Sequence, residues 1–339
     1  MRGTLAARVA RLDDGGAPFL FNGPALPYWL THSRADATPR ATYFGSDGVL
    51  KTVAAAGDPR IDFTPGKRPG LLVESARTNL ALNANDFAAA SWSLTNASAT
   101  ANAGGAPTGA AVAAKLAETA ASGFHMVSQN VAGAGQNYTC SIFLKQVERG
   151  FAALAFASDG GTKRQTLLID LATGAVVGSS AAGAPVNPVS AVAPAVNGFW
   201  RLWVKLTNTL GFVQMAAALS DSAAPTFASA IPTYLGVAGA GVFCFGAQLE
   251  AGSYPTSYVA TGAAAVTRAA DALSMAARAT DPLIVQTRSL ADGARARTLL
   301  NPASDISTLA DVVIEGAKLY PAGTPGASLA SKLFVDGPW

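Results

Sequence analysis

Between about Arg77 and Asp271 the chain repeatedly breaks apolar runs of one strand length with Gly, Pro, Asn and Ala clusters such as Gly133-Ala134-Gly135 and Ala182-Gly183-Ala184-Pro185. No amphipathic helix fits between the runs. A parallel α/β sheet, which needs crossover helices, is thereby excluded, and an antiparallel sandwich is predicted. In Tyr138–Lys145 alternation puts Cys140, Ile142 and Leu144 on one face. Phe151–Phe156, Thr166–Leu171, Trp200–Leu206, Val213–Leu219 and Val242–Leu249 read the same way. Ala-rich 109–116 permits helix, but Gly104, Gly105, Pro107 and Gly109 crowd its start, so a strand over Val112–Leu116 is expected.

The flanks differ. Pro18–Pro24 and Pro27–Leu30 carry too many breakers for a helix, so an extended segment lying on another surface is expected. Arg40–Val53 predicts a hairpin around Ser46-Asp47-Gly48, and Pro59–Phe63 and Gly70–Glu74 predict further short strands. Pro282–Arg288 and Asp311–Tyr320 read as strands of a C-terminal part, 272–339, too short for a robust core of its own and expected to pack on a neighbour or on other copies. The division expected is 1–76, an extended docking and oligomerisation segment; 77–271, the sandwich; and 272–339, a small β region.

Charge narrows the function classes. Lys and Arg number 24 against 21 Asp and Glu, a net +3, and charged residues are 13% of the chain against roughly 25% in ordinary soluble proteins. Such a balance disfavours binding nucleic acid through a basic face. Scarce surface charge instead predicts burial of surface in an oligomer. No run approaches the ~20 bulky apolar residues of a spanning helix, and Met1–Arg8 lacks a signal-peptide core, so cytoplasmic synthesis without membrane insertion is expected. Cys140 and Cys244 exclude a disulfide scaffold or a Cys-only zinc site, and His32 and His125 are read as ordinary polar or half-buried side chains. No metal or cofactor is expected.

Catalytic patterns are sparse. There is no Gly-x-Ser-x-Gly elbow, and the Gly-rich stretches at 133–137 and 236–241 lack the Gly-Lys-Ser/Thr of a phosphate loop. Glu118, Glu148, Asp159, Asp170 and Glu250 are the acids a glycosidase pair would draw on, but none sits in a recognisable catalytic setting, so they are read as turn or solvated carboxylates. The aromatics say more. Alternation in Phe199–Leu206 sends Trp200, Leu202, Val204 and Leu206 to the core and Arg201, Trp203 and Lys205 to the other face. An indole between two cations suits sugar stacking, so Trp203 is the leading carbohydrate-binding candidate, with Trp92 and Tyr138 behind it.

Several stretches resemble one family. Gly70–Leu80, then Asn85-Asp86-Phe87 and Trp92, resemble the opening of a jelly-roll module common in bacteriophage virion proteins. Tyr138–Lys145 resembles its central strand, and Asn197-Gly198-Phe199-Trp200-Arg201-Leu202 its Asn-Gly-Trp-Tyr-Arg strand, with Phe-Trp in place of the aromatic pair. Phe245-Gly246-Ala247-Gln248-Leu249-Glu250 through Tyr258, then Ala265–Asp271, are similar to its closing signature, while Arg34–Phe44 with Gly48-Val49-Leu50 is similar to the segment that often precedes it. The likeness spans about residues 34–271. It implies a carbohydrate-binding-like jelly roll in a tail fibre, head fibre or spike of a phage or gene transfer agent. Such proteins are commonly homotrimeric, contact other virion structural proteins, and attach particles to cell-surface polysaccharide. No catalytic residues carry over, and the Gly-Ala-Gln-Leu-Glu motif reads as structural, Leu249 buried and Gly246 admitting a neighbouring backbone.

The expectation is therefore an all-β protein, an antiparallel jelly-roll β-sandwich with an extended N-terminal segment and a small C-terminal β region. Its expected role is non-catalytic host attachment from a virion or phage-like particle assembled in the bacterial cytoplasm. The alternatives are a purely structural adaptor or decoration subunit without a ligand and, third, a polysaccharide-degrading enzyme.

Overall fold

The computed structural model describes residues 19–21, 23, 25–27, 30–275, 282–300 and 303–319. The chain start Met1–Arg8, the Tyr28-Trp29 pair and the terminal Phe334–Trp339 lie outside the described residues. The architecture is all-β and its sheets are antiparallel.

The central strands are β1 (Ser93–Thr95), β2 (Ala97–Gly104), β3 (Ala113–Glu118), β4 (Met126–Ala132), β5 (Gln136–Gln146), β6 (Phe151–Ser158), β7 (Lys163–Asp170), β8 (Val176–Ala182), β9 (Val186–Pro194), β10 (Trp200–Asn208), β11 (Phe212–Ser220) and β12 (Gly241–Ala251). They form two six-stranded sheets, ordered β9-β10-β5-β12-β3-β2 and β8-β7-β6-β11-β4-β1. Alternating side chains from both sheets meet in one apolar core. Cys140, Ile142, Leu144, Leu202, Val204, Leu206 and Leu249 come from the first sheet, and Leu154, Phe156, Leu167, Ile169, Val213, Met215 and Leu219 from the second. Both cysteines are buried and free, Cys140 lying opposite Leu249 and Cys244 opposite Leu144, on different rungs. Burial pushes the Cys244 thiol up to about 12.

The predicted strands in this region are present, and β1, β2, β4, β8 and β9 are additions to them. In β2, β8 and β9 the Ala, Ser and Gly residues lack the bulky alternation that marks a strand, and these three are sheet edges whose side chains are all partly or fully exposed. The closing motif contains a correction. A Cβ on Gly246 would approach the Phe143 ring at 2.9 Å, so the neighbour admitted is a side chain. Gly246 also has φ +64° where the β5–β12 register shifts, a bulge that favours glycine.

The neighbour on which 272–339 packs is the N-terminal region. Described residues of 1–76 and 272–339 share a sheet of their own outside the sandwich, a second unit beside it. Its strands run in the order Arg295–Leu300, Leu283–Ser289, Val312–Leu319, Gly70–Val73, Ile61–Asp62, and Phe19–Leu20 also pairs with Val312–Leu319. Phe21, Ile61, Leu71 and Val73 pack there with Leu273, Leu283, Val285 and Ile314. Each piece alone is too short to hide its apolar face, and together they make one core. Locally basic 288–297 belongs to this unit, where Arg288 and Arg295 both bind buried Glu315, at 3.2 and 2.8 Å.

Candidate functional site

The hairpin Thr42–Phe44 with Leu50–Thr52 turns at Gly48, φ +75°, where Asp47 accepts a hydrogen bond from Val49 N (3.1 Å). Its Phe44 and Leu50 press on Phe143, Phe199, Phe245 and Tyr258, which line the outer face of the first sheet. One part of that face stays open. Register sets Ala193, Arg201 and Phe143 in one row across β9, β10 and β5, and Ala191, Trp203 and Ser141 in the next. Alanines beside an arginine and an indole leave room, and a cavity of about 200 Å³ results. Arg201, Trp203, Ala193 and Pro194 form its sheet wall, Tyr43 and Thr64 the hairpin side, Pro255-Thr256-Ser257 the loop after β12, and Arg288 with Leu290 the far side.

The closing motif builds that loop. Glu250 accepts hydrogen bonds from Thr256 N (2.8 Å) and Thr256 Oγ1 (2.7 Å), and Gln248 Oε1 accepts one from Val259 N (2.7 Å). Arg201 Nη2 then donates to the fixed Thr256 carbonyl (2.8 Å) and to Ser141 Oγ (3.0 Å), with its guanidinium 5.3 Å from the Phe143 ring centre. Arg201 Nε is buried and has no partner. Burial lowers the basicity of this guanidinium, and the more distant Glu250, Glu74 and Asp62 oppose that.

The sequence candidates separate here. Trp203 is half-buried and lines the cavity. Lys205, expected on its other flank, is buried and donates to the Asn187 carbonyl (2.9 Å). Trp92 and Tyr138 are corrected: both belong to the core, at 6% and 3% exposure, with no ring face open to a ligand. Trp92 packs on Phe87 with centroids 4.9 Å apart and donates to the Asn83 carbonyl, while the Tyr138 hydroxyl accepts from Ala134 N (2.9 Å). Nothing local distinguishes a stacking platform from a core aromatic, because both use the same large apolar face. Trp200 packs against the core and donates to the Leu171 carbonyl (3.0 Å).

Sequence reading missed Tyr43 and the buried ions behind the cavity. Asp271 accepts hydrogen bonds from His32 Nε2 (2.9 Å), Arg34 Nη1 (2.9 Å), Glu74 N (2.8 Å) and Arg60 Nη2. Glu74 accepts from Arg60 Nη1 (2.6 Å), Ser257 N (2.7 Å) and Ser257 Oγ (2.7 Å), with Arg268 at 3.4 Å. Against desolvation, the Arg268 and Arg60 charges hold the Glu74 carboxyl at about 2, below its ordinary 4.5, and His32 with Arg60 and Arg268 keeps Asp271 well below the carboxylate range. Glu74, Arg268 and Asp271 lie inside the stretches Gly70–Leu80 and Ala265–Asp271 that the sequence singled out. Arg60 carried no signal, because a lone arginine in a short strand looks like a surface residue.

The five acids weighed as catalytic candidates all have fixed partners. Glu118 accepts from Arg149, Tyr234 Oη and Val237 N; Glu148 from Lys115 and Gly241 N; Asp159 from Thr209 and Lys163; Asp170 from Ala172 N and Thr173; Glu250 from Thr256 and Gln248. No metal-holding group of three or more His, Cys, Asp or Glu occurs among the described residues. No protein-family model matches the chain, and no curated protein matches it.

Proposed function

We propose that this chain is a structural protein of a phage or phage-like particle, a fibre or spike subunit that attaches to cell-surface glycan through a non-catalytic jelly roll. The strand order supports the jelly-roll reading. With β3, β4, β5, β6, β7, β10, β11 and β12 taken as its eight successive strands, one sheet runs first-eighth-third-sixth and the other second-seventh-fourth-fifth, the interleaving that two Greek keys produce. The observation that carries the binding reading is Trp203, half-buried beside Arg201 in the cavity on the sandwich's outer face. A concave site that joins an aromatic wall to convergent polar groups is the general form of a small-ligand pocket, and a sugar ring offers both a face and hydroxyls to it. The non-catalytic reading is supported by the carboxylates that line it: Glu74 is held by Arg60 and Ser257, and Asp62 accepts from Phe44 N (2.9 Å) and Thr64 N (3.2 Å).

A second feature favours an assembled subunit. Residues 171–200 contain no charged side chain, yet Val176, Val177 and Val189 are exposed along the edge strands β8 and β9. Both edges carry a register shift, and β9 is blunted further by Pro188, whereas β8 has neither proline nor charge, the kind of edge that invites pairing. Contacts between copies in a homotrimer, or with another particle protein, would cover it. Several copies would also raise weak single-site binding by avidity.

The test is binding to a glycan array and to host envelope. Trp203→Ala should weaken single-site affinity about two- to tenfold, the range of a lost aromatic contact, with melting unchanged. Undiminished binding removes the cavity from the reading. Binding to no glycan, together with stable incorporation into particles, favours the adaptor without a ligand.

A further inference from the structure

We infer that the cavity takes the terminal unit of an acidic glycan, a single sugar ring whose carboxylate docks on the Arg201 guanidinium while Trp203 covers a ring face. The inference rests on the glycan-binding reading and names the class of sugar.

The first observation is a cation without an ion-pair partner, its nearest carboxylates Glu250, Glu74 and Asp62 acting only from farther off. Arg34 meets Asp36 and Asp271, Arg60 meets Glu74 and Asp271, Arg268 meets Glu74, and Arg288 meets Glu315. Each of these buried arginines thus has a counter-ion. Arg201 has a hydroxyl, a carbonyl and an aromatic face, and no carboxylate oxygen of the described residues comes within 4.0 Å of it. Its Nε–H is also unpartnered. A half-buried cation of this kind favours an anion that brings charge and acceptors together, and the guanidinium fork suits the two oxygens of a carboxylate.

The neighbouring groups leave that role to Arg201. Glu74 is neutralised by Arg60 and Arg268, and Arg288 across the cavity is engaged by Glu315. Asp62, which also lines the cavity, accepts its hydrogen bonds from Phe44 and Thr64 and not from a ligand-facing cation.

The second observation is size. The cavity measures about 200 Å³. It falls below the ~300–1,000 Å³ of sites for larger ligands. That space encloses a single ring, and the unit proposed to enter it is the end of a chain, the rest lying outside.

Titration calorimetry on the full chain tests both halves. The probes are a glucuronic-acid-terminated disaccharide, its glucose-terminated counterpart, and a trisaccharide with glucuronic acid in the middle. The acidic end should bind about 10- to 100-fold tighter than the neutral one, the range of a charge-assisted hydrogen bond, and tighter than the internal acid. Arg201→Gln should erase the preference and Arg201→Lys retain part of it. Should Arg201→Gln not fold, Ala193→Phe fills the cavity from the edge strand and should abolish binding at unchanged melting temperature. Equal affinity for acidic and neutral ends, with Trp203→Ala still weakening both, overturns the acidic assignment and leaves the glycan reading standing. Equal affinity for the internal acid overturns the terminal one. Binding to none of the three probes, or to any other glycan on the array, overturns both readings.

Discussion

The sandwich interior and the junction behind the cavity are both dry, but they are held in opposite ways. Between the two sheets the buried side chains are almost wholly apolar, Leu154, Ile142 and Met215 among them. At the junction, carboxylates Glu74 and Asp271 are buried with Arg34, Arg60 and Arg268. An apolar core is non-directional and tolerates some repacking. A buried ion cluster does not, because each charge needs its partner at hydrogen-bond distance. The sandwich therefore makes the chain fold, while the junction sets where the hairpin, the 255–258 loop and the sheet that holds Leu283–Ser289 meet, and so shapes the cavity.

Removing one ion should separate the two regions most sharply. Asp271→Ala leaves Arg60, Arg34, His32 and Glu74 N without their common acceptor and should cost about 3–5 kcal/mol. In chemical denaturation the sheet that holds Leu283–Ser289 should unfold before the sandwich, the first followed by hydrogen exchange at Leu283–Ser289 and the second by emission of Trp92 and Trp200. Leu154→Ala should cost a comparable or smaller ~2–5 kcal/mol, without splitting the transition in this way. A single shared transition for Asp271→Ala would break the contrast.

Acid should weaken the junction, where two depressed carboxylates share one cluster of arginines. Because Glu74 titrates at about 2 in the folded chain against an ordinary 4.5, its contribution is full above about pH 4.5. It is lost as pH falls toward 2, with Asp271 acting in the same direction. The loss should be on the order of 2–3 kcal/mol, seen as a falling melting temperature of the sheet that holds Leu283–Ser289 from pH 5 to pH 2.5. An acid-insensitive junction would mean that these carboxylates are not ionised partners.

The smallest effect is expected at the sheet edge. Val176→Lys should change protomer stability by no more than about 0.5 kcal/mol, yet shift the oligomer toward monomer in sedimentation velocity. An unchanged oligomer would place the contact elsewhere.

How much was legible in advance follows the same division. Alternating runs such as Tyr138–Lys145 and Trp200–Leu206 announced their strands and inner faces, because a buried strand face is written as a period of two. Edge strands β2 and β8 escaped notice, since solvent imposes no such pattern. Among the three aromatics singled out, only Trp203 lines the cavity. Trp92 and Tyr138 looked alike on paper because burial depends on what another part of the chain lays over a ring.

Local pattern thus determined the all-β character, most of the strands, the hairpin at Gly48 and the outward face that holds Arg201 and Trp203. It did so because pleat, turn and burial are short-range properties, readable within a few residues. Only the tertiary structure decided that 61–73 and 283–319 share one sheet, that Arg60, Glu74 and Asp271 meet, and that Ala191 and Ala193 stand beside Trp203 and Arg201 to leave a cavity. Those pairings join residues up to 200 or more positions apart, and the charge and shape that select them exist only once distant segments are in contact.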